Sequence, residues 1–485
     1  MIWLKASAPG WRQAGVMDTM TPIPSPLGWT FDPQVLRRHD RPGPRYTSYP
    51  TAPHFHDGFG AAELGQAIAR SNASGRALSL YVHVPYCSSP CFYCGCNRVI
   101  TRDASKGQAY VERVLREADA VAPLFDESRE VIQLHLGGGT PNFLSSQLLT
   151  TLIEGLAERF RFSERAERDF SIELDPRFVT PGDIAVLAKL GFNRASLGVQ
   201  DFDAEVQKAI NREQSVVQTL GIIEACRKYG MRSVNVDLIY GLPRQSLQGF
   251  GRTLETVVAA RPDRLAIYGY AHLPHMFRAQ RQIPDAELPS AERKLALLGL
   301  AVRRLALAGY QYIGMDHFAL PGEDLARAQR AGSLHRNFMG YTTHAETDLV
   351  GLGVSAISHI DNTYSQNPRD LPGWEAAVDD GRIPVWRGLE LSADDLLRAD
   401  LIQQLMCQGM VDTAKLAARH HIDFDAYFAG ELQVLRVLQD DGLAEYRAGV
   451  IRATTAGRPL LRLLAMCFDH YLQQPGQPAR YSRAI

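Results

Sequence analysis

Six short apolar segments alternate with stretches of helical periodicity between residues 78 and 310, and this alternation restricts the fold more than any other feature. The segments that we interpret as strands are 78–84, 131–136, 169–174, 194–199, 233–239 and 264–270. The helical stretches between them are 107–122, 145–160, 181–190, 215–229 and 248–260. Strands and helices at this spacing form βαβ units with right-handed crossovers and a parallel sheet. We therefore predict an α/β fold, a partial barrel of the (β/α)6 type with parallel strands, and a further strand at 311–314.

The first predicted strand alternates between apolar and polar side chains. Leu78, Leu80, Val82 and Val84 share one face, and Ser79, Tyr81 and His83 share the other. In a barrel one face packs on helices and the other lines the interior, so we predict that Tyr81 and His83 point into the lumen. Active sites in such folds lie at the carboxyl ends of the strands. We expect the segments that follow the first five strands, a cysteine-rich loop, 137–141, 173–176, 198–201 and 237–243, to meet at one rim.

The rest of the chain divides into three further regions. Residues 1–30 lack periodicity and are expected to be a loose leader. This leader would be an artefact of an upstream start if translation begins at Met17 or Met20. Residues 31–77 are expected to cover the barrel, which with its extensions spans 78–385. Residues 386–485 predict a mainly helical domain, with helices at 391–407, 412–420 and 424–440. Residues 441–464 predict a small hairpin that leads into a last helix, a pattern that resembles a winged helix. We expect the C-terminal region to cover the substrate entrance.

Composition excludes several classes of protein. The chain has 52 basic and 53 acidic side chains among its 485 residues, so it lacks the basic excess of a nucleic-acid-binding protein. No apolar run approaches the roughly 18 residues of a membrane helix. The first sixteen residues lack the apolar core of a signal peptide. We therefore expect a cytoplasmic protein with no nucleic-acid or membrane partner.

Four of the seven cysteines lie within ten positions, from Cys87 to Cys96. In a reducing compartment clustered thiols are metal ligands or catalytic groups more often than disulfides. The spacing Cys87-x3-Cys91-x2-Cys94 does not fit a zinc finger, which needs a second matched pair. Soft thiolates favour iron–sulfur clusters, and three of them suit a [4Fe–4S] cluster with one iron left for a non-protein ligand. The residues alone leave open whether Cys96 is a fourth ligand.

The cysteine spacing, with Tyr93 before the last cysteine, resembles the signature of the radical SAM superfamily. Longer segments, beginning with "GPRYTSYPTA" at 43–52, resemble one family within it, the oxygen-independent coproporphyrinogen III oxidases. The other matching segments are 134–144, 171–177, 192–202, 211–214, 236–243, 270–274, 314–319, 334–343 and 353–358. The resemblance therefore runs from about residue 43 to the C-terminus.

The resemblance implies a cofactor set and the residues that bind it. Cys87, Cys91 and Cys94 are the implied ligands of a [4Fe–4S] cluster, whose open iron binds S-adenosylmethionine (SAM), and Cys96 is not among them. The implied SAM contacts are Tyr81, Gly138, Gly139, Thr140, Glu173 and Ile357, where Ile357 is an adenine wall or ordinary core. Relatives also hold a second SAM, for which the matching positions are Tyr93, Gly139, Thr140, Gln200, Arg212, Asp237 and Ala271.

The resemblance also implies the reaction. A 5′-deoxyadenosyl radical from SAM would start the oxidative decarboxylation of two propionates of coproporphyrinogen III to vinyl groups, giving protoporphyrinogen IX in haem (porphyrin) biosynthesis. Arginine suits the carboxylates of this substrate. The candidates for holding the tetrapyrrole are Arg45, Arg212, His335, Arg336 and Tyr341, and structural loops and caps are the alternative explanation for them.

Two other functions compete with the oxidase. A haem-binding chaperone of the same superfamily shares the cluster motif but resembles this chain less at 44–52 and at Cys96. A structural zinc protein leaves the rim segments unexplained. For the oxidase we expect coproporphyrinogen III, a low-potential electron donor such as a flavodoxin or ferredoxin, an electron acceptor that the sequence does not identify, and a monomer.

Overall fold

The computed structural model describes residues 23–24, 30–473 and 481, so most of the predicted leader lies outside the described residues. Six parallel strands form its centre, and each begins and ends within two residues of its predicted bounds. They are β1 (Ala77–Val84), β2 (Glu130–Gly138), β3 (Asp169–Leu174), β4 (Arg194–Gln200), β5 (Ser233–Tyr240) and β6 (Arg264–Gly269). The connecting helices are Ser105–Val121, Ser146–Arg159, Pro181–Lys189, Ala204–Ala209, Val216–Lys228 and Leu247–Ala260. The predicted α/β fold with parallel strands is confirmed.

The sheet continues beyond the six predicted parallel strands. Its further members are β7 (Gln311–Gly314), β8 (His317–Ala319), β9 (Thr347–Leu352), β10 (Ile357–Ile360), β11 (Thr363–Gln366) and β12 (Arg387–Glu390). The strand order is β7-β8-β6-β5-β4-β3-β2-β1-β9-β10-β11-β12. Two further strands of the described sheet run parallel to these six, and the sequence predicted neither: β9 pairs with β1, and the two-residue strand Arg161–Phe162 pairs with β2 beside this path. The order has two ends, so the described strands do not close into a full barrel.

The apolar face of β1 is buried in the main core. Leu78, Leu80, Val82 and Val84 are at most 1% exposed, and Val111 and Val114 of helix Ser105–Val121 belong to the same core. Each such side chain stabilises the fold by about 1.5–3 kcal/mol through its removal from water. Because the apolar face packs on helices, the opposite, polar face of β1 is left to line the barrel interior.

The polar side chains of the first strands lie together inside the barrel. The Tyr81 ring stacks on His135 of β2, and its hydroxyl lies 3.0 Å from His83 Nδ1. His135 Nδ1 in turn lies 2.7 Å from the Ser171 hydroxyl on β3. The prediction that Tyr81 and His83 turn away from the apolar core is confirmed.

A hairpin reaches the interior from outside the sheet. Its strands are His335–Asn337 and Gly340–Thr342, and we call residues 335–342 the lumen hairpin. The Thr342 hydroxyl accepts a hydrogen bond from Gln133 Nε2 on β2 at 3.1 Å. The Tyr341 hydroxyl donates to the Met406 carbonyl at 3.1 Å. The lumen hairpin therefore joins the barrel wall to the C-terminal region.

Helices and a small sheet make up the C-terminal region. Its helices are Ala393–Gln408, Thr413–His420, Phe424–Tyr427, Ala429–Asp440 and Leu461–Met466. The antiparallel strands Met410–Asp412, Val450–Ala453 and Ala444–Arg447 pair in that order. The prediction of one helix over 424–440 is wrong, because Phe428 takes non-helical backbone angles while its ring is buried against Phe424 and Phe468.

Other helices outside the barrel units are Pro33–His39, Ala61–Asn72, Ala291–Leu307, Asp324–Ala331 and Leu371–Asp379. Among the helices of the described ranges, none has the length and apolar character needed to cross a membrane.

The segment 43–49 joins the two ends of the described chain. Arg462 donates from Nε to the Pro44 carbonyl at 3.0 Å and also hydrogen-bonds the Gly43 carbonyl. The Tyr46 hydroxyl donates to Asp469 at 2.8 Å. Between these anchors the Arg45 guanidinium lies over the ring of Tyr268, 5.8 Å from its centroid. Contacts across more than 400 residues therefore hold this segment against the barrel.

Glu117 is a buried carboxylate that fixes the loop after β9. It accepts hydrogen bonds from the Gly353 amide at 2.8 Å, Asn367 Nδ2 at 2.6 Å and Trp374 Nε1 at 3.0 Å. Burial outweighs these donors and raises the pKa of Glu117 from 4.5 to about 7. Folding therefore favours the protonated form, and the associated stability is present below pH 4.5 and lost as pH rises towards 7.

We expect wild-type protein to lose roughly 3 kcal/mol of stability between pH 4.5 and 7 relative to Glu117→Gln, which does not titrate. The check is denaturant-induced unfolding of both proteins across this range. A difference in free energy of unfolding that stays constant with pH would contradict the prediction.

Candidate active site

The cysteine-rich loop follows β1 and opens onto a cavity of 330 Å³ at the carboxyl ends of the strands. Eleven of the fourteen predicted cofactor and metal residues line it. They are Cys87, Cys91, Tyr93, Cys94, Gly138, Gly139, Thr140, Glu173, Gln200, Arg212 and Asp237. The structure thus brings together residues from the ends of five strands.

All seven cysteines are free thiols in the structure. Cys87 and Cys91 are buried, Cys94 is half-buried and Cys96 is exposed. In the described part of the chain, no three Cys, His, Asp or Glu side chains are arranged to hold a single metal ion. A [4Fe–4S] cluster binds one thiolate at each iron, so its ligands need not converge on one point. Three thiols on one loop beside an open cavity fit that group.

Cys96 contributes to the loop through its backbone. Its amide donates to Cys94 Sγ at 3.4 Å. Hydrogen bonds to the sulfur atoms are one of the ways in which a protein tunes an iron–sulfur cluster. This geometry gives Cys96 a supporting position beside Cys94.

Two arginines approach the sulfur of Cys91. Arg212 Nη1 lies 3.5 Å and Arg177 Nη2 lies 3.6 Å from Cys91 Sγ. Asp175 pairs with both, at 2.9 Å from Arg212 and 2.7 Å from Arg177. Burial opposes ionisation of Asp175, but the two guanidiniums prevail and hold its pKa below the ordinary value. Cys91 therefore lies against a buried cluster of two guanidiniums and one carboxylate.

The glycines after β2 lie close against the start of the cysteine loop. Gly138 has φ +108°, and a Cβ there would lie 2.5 Å from the His83 ring. A Cβ on Gly139 would lie 2.6 Å from the backbone carbonyl of Pro85. The Gly139 amide also donates to the Val84 carbonyl at 2.8 Å. This close approach of two backbones requires glycine.

Two carboxylates face the interior beside the cysteine cavity. Partial burial opposes ionisation of Glu173, yet His135 and the Gly138 amide hold its pKa below the ordinary value. Burial and the nearby Glu173 raise the pKa of Asp237 to about 6, although Asn235 and Ser196 hydrogen-bond it. Glu173 is therefore the more strongly anionic of the two.

A second cavity of 160 Å³ lies deeper in the lumen. Glu173, Ser196, Asp237 and Tyr268 line both spaces, so the two lie side by side. The lumen hairpin closes the deeper one with residues 339–342. The predicted tetrapyrrole residue Tyr341 lies here, whereas His335 and Arg336 line a different cavity of 780 Å³.

Three predicted residues lie outside the lining of the cysteine cavity. Tyr81 lies behind it against His135, and Ala271 follows β6 next to Tyr270. Ile357 begins β10 and packs against Phe55, Tyr364 and Leu391. The lining residues that sequence reasoning missed include Arg98, Asp175, Arg177 and Tyr268. Asp175 and Arg177 lie inside a matching segment, 171–177, which was the available signal.

Comparisons with known proteins give independent information on the chain. Residues 81–257 match the family model described as the radical SAM superfamily, and residues 391–460 match the HemN C-terminal domain. An oxygen-independent coproporphyrinogen III oxidase from Pseudomonas aeruginosa is 46% identical over 455 residues, covering 94% of this chain and 99% of that protein. The oxygen-independent coproporphyrinogen III oxidase from Escherichia coli is 45% identical over 455 residues, and the match covers 94% of this chain and 98% of that protein.

A solved structure described as coproporphyrinogen III oxidase (HemN) from Escherichia coli, a radical SAM enzyme, is also similar. Its TM-score is 0.85 at 45% identity, and the match covers 88% of this chain and 97% of that one.

Proposed function

The chain belongs to the oxygen-independent coproporphyrinogen III oxidases of the radical SAM superfamily, and from this premise we propose that its cysteine cavity is the reaction site. The enzyme converts two propionates of coproporphyrinogen III to vinyl groups, yielding protoporphyrinogen IX for haem biosynthesis. The observation that carries the proposal is the convergence of eleven predicted cofactor residues on one cavity. The relatives are named as oxidases, which favours this function over the haem-binding chaperone.

The enzyme uses a [4Fe–4S] cluster and SAM, and we assign Cys87, Cys91 and Cys94 as the cluster ligands. Together the two cofactors supply hydrogen-atom abstraction from an unactivated carbon. The backbone of Gly138 and Gly139 leaves room for the methionine part of SAM. Glu173, which remains anionic, is placed to accept hydrogen bonds from the SAM ammonium group or ribose hydroxyls.

Arg212 has a buried donor for which no hydrogen-bond partner is found among the described residues. Its terminal nitrogens are bound to Asp175 and, at 2.6 Å, to the Gly198 carbonyl, while its buried Nε has no hydrogen-bond partner. We assign this Nε to a second SAM or to a substrate propionate. Tyr93, Gln200 and Asp237 line the same cavity and complete that subsite. Ala271 follows Tyr270 in the sequence, and Tyr270 packs with Tyr93.

Electrons must reach the cluster from outside. Phe178 is half-exposed and lines the cysteine cavity, and its neighbour Arg177 contacts Cys91. We propose that a low-potential donor, a flavodoxin or ferredoxin, docks at this side of a cytoplasmic monomer.

We also propose the domain limits 31–77, 78–385 and 386–485 for the cover, the catalytic barrel and the C-terminal domain.

The deciding experiment is anaerobic turnover. Reconstituted protein is mixed with SAM, a low-potential reductant, an electron acceptor and coproporphyrinogen III, and the tetrapyrroles are then separated. Protoporphyrinogen that appears together with 5′-deoxyadenosine would support the proposal. Cluster-loaded protein that leaves the substrate unchanged but binds haem would favour the chaperone.

We expect Gly139→Ala to lower turnover by about 100-fold, because its Cβ would displace the Pro85 backbone and misplace SAM by about 1 Å. The check is SAM affinity and turnover, with iron content as the test of loop integrity. Gly65→Ala is the matched control, since a Cβ at this helical position meets no atom within 4 Å. Equal turnover by Gly139→Ala and Gly65→Ala would contradict the prediction.

A further inference from the structure

The long connection between β6 and helix Ala291–Leu307 reaches the cysteine loop. It contains only two short 3-10 turns, Arg278–Gln282 and Asp285–Glu287, and we call residues 271–288 the strap. Connections of more than about 12–15 residues with so little secondary structure are uncommon in compact domains, and many of them carry a function. Of the strap, the site described above uses only Ala271.

Gln280 joins the strap to the cysteine loop through both ends of its side-chain amide. Its Nε2 donates a hydrogen bond to the Tyr93 carbonyl at 2.9 Å, across 187 residues of sequence. Its Oε1 accepts a hydrogen bond from the Leu273 amide at 2.5 Å, within the strap. The residue is only 2% exposed, so the loss of either partner would leave a buried polar group unsatisfied.

The Tyr93 carbonyl belongs to the peptide unit that leads into Cys94. The amide of the same unit, which is that of Cys94, donates to the Cys91 carbonyl at 3.3 Å. A peptide unit is planar, so hydrogen bonds at its oxygen and at its nitrogen together fix its orientation. The position of Cys94 relative to Cys91 therefore depends on both contacts.

The strap also contacts the residue that follows Cys94. A Cβ on Gly95 would lie 3.0 Å from Cζ of the Phe277 ring, so the ring lies close against the Gly95 backbone. Phe277 precedes Gln280 by three residues in the strap. The strap thus contacts the chain on both sides of Cys94.

Different side chains hold the first half of the cysteine loop. Asn211 Nδ2 donates to the Pro90 carbonyl at 2.7 Å, and Arg98 Nη2 donates to the Cys91 carbonyl at 3.0 Å. In the second half of the loop, Gln280 provides the corresponding contact. Side chains from separate parts of the chain therefore fix the two halves.

The strap is itself held in place. His272 Nε2, at its start, lies 2.9 Å from Asp285 Oδ1, near its end. Glu287 pairs with Arg244 of the segment after β5 at 2.7 Å, and its carbonyl accepts the Arg244 amide at 2.8 Å. Gln280 therefore connects the cysteine loop to a fixed part of the barrel.

We propose that Gln280 is a positioning residue, which holds the second half of the cysteine loop so that Cys94 binds the same cluster as Cys91. The inference rests on the proposed function, which assigns both cysteines as cluster ligands. Removal of a contact that orients a metal ligand typically lowers metal affinity or activity by about 10- to 100-fold. Gln280 therefore controls how firmly the protein holds its cluster.

The test is the rate at which cluster-loaded enzyme releases iron to a chelator under anaerobic conditions. Gln280→Met keeps a side chain of similar length but removes both hydrogen bonds, and we expect it to release iron about tenfold faster than wild type. The carboxylate of Gln280→Glu keeps an acceptor for the Leu273 amide but offers no donor to the Tyr93 carbonyl, so it should release iron equally fast. Gln282→Met, in the same 3-10 turn but exposed, is the matched control and should behave as wild type.

A spectroscopic measurement separates positioning from a merely structural role. The EPR spectrum of the reduced cluster with SAM should change in both Gln280 variants and stay unchanged in Gln282→Met. If Gln280→Met does not fold, Gln280→Glu decides the test, because it retains the hydrogen bond within the strap.

Iron release by Gln280→Glu at the wild-type rate, with an unchanged EPR spectrum, would overturn the inference, even if the variant unfolded more easily in denaturant. Equally fast release by Gln282→Met would also overturn it, since the effect would then not depend on the contact with Tyr93. Wild type that retains its cluster but does not turn over coproporphyrinogen III would count against the proposed function alone.

Discussion

A Cys94→Ser variant is expected to purify without its [4Fe–4S] cluster and to show no turnover of coproporphyrinogen III. Serine offers a hard oxygen in place of the soft thiolate that iron–sulfur clusters require. With Cys94 lost, two assigned ligands remain on the loop, Cys87 and Cys91. Iron and sulfide content of anaerobically purified protein gives the primary measurement, and SAM binding gives a second.

Cys96→Ser is the matched comparison for the ligand assignment. The Cys96 thiol is exposed, and its backbone amide, which serine retains, makes the hydrogen bond to Cys94 Sγ. We therefore expect this variant to keep most of its iron. An iron-loaded Cys94→Ser together with an iron-free Cys96→Ser would show that the fourth thiol, not Cys94, is the ligand.

Replacement of Arg194 by methionine is expected to lower the free energy of unfolding by about 3–5 kcal/mol. Arg194 begins β4 and is buried among carboxylates, with Asp169 at 2.8 Å and Glu323 at 3.0 Å, and it also pairs with Asp324. Its loss leaves these acids with too little positive charge, although Arg264 still binds Glu323. The cost arises from the buried charges left behind more than from the lost contacts.

The control for this prediction is Arg382→Met, which removes an ion pair with Asp380 in which both side chains are about two-thirds exposed. Exposed pairs contribute about 0–1 kcal/mol, so this variant should unfold almost as wild type does. Denaturant titration of the three proteins measures the difference. If the two variants were equally stable, the Arg194 cluster would not be a significant source of stability.

The parallel strands were predictable because each is a short apolar run bounded by helix. The strand at 169–174, for example, has the bounds that the sequence predicted. β9 was missed because Gly351 interrupts its short apolar pattern, and because its pairing with β1 spans some 270 residues. Pairings over such distances leave no local signal in one sequence.

The residues of the candidate site likewise divide into those that the sequence predicted and those that only the fold brings together. Cys87, Cys91 and Cys94 were predicted as cluster ligands from their spacing together with the family resemblance, and Gly138 and Gly139 were predicted as SAM contacts from the same resemblance and their place after a strand. The pairing of Asp175 with Arg212 was not predictable, because it joins loops 37 residues apart through side-chain geometry. His335 and Arg336 were predicted to hold the tetrapyrrole, and only the fold shows that they line a cavity away from the cysteines.

The anchoring of segment 43–49 by Arg462 and Asp469 sets an order of events during biosynthesis. The barrel strands leave the ribosome long before residue 462 does, and domains can fold as they emerge. The segment near the N-terminus must then wait for the last helix before it can dock. During that interval Arg45 is not held over Tyr268, so we expect newly made protein to pass through a form in which this segment is undocked from the barrel wall.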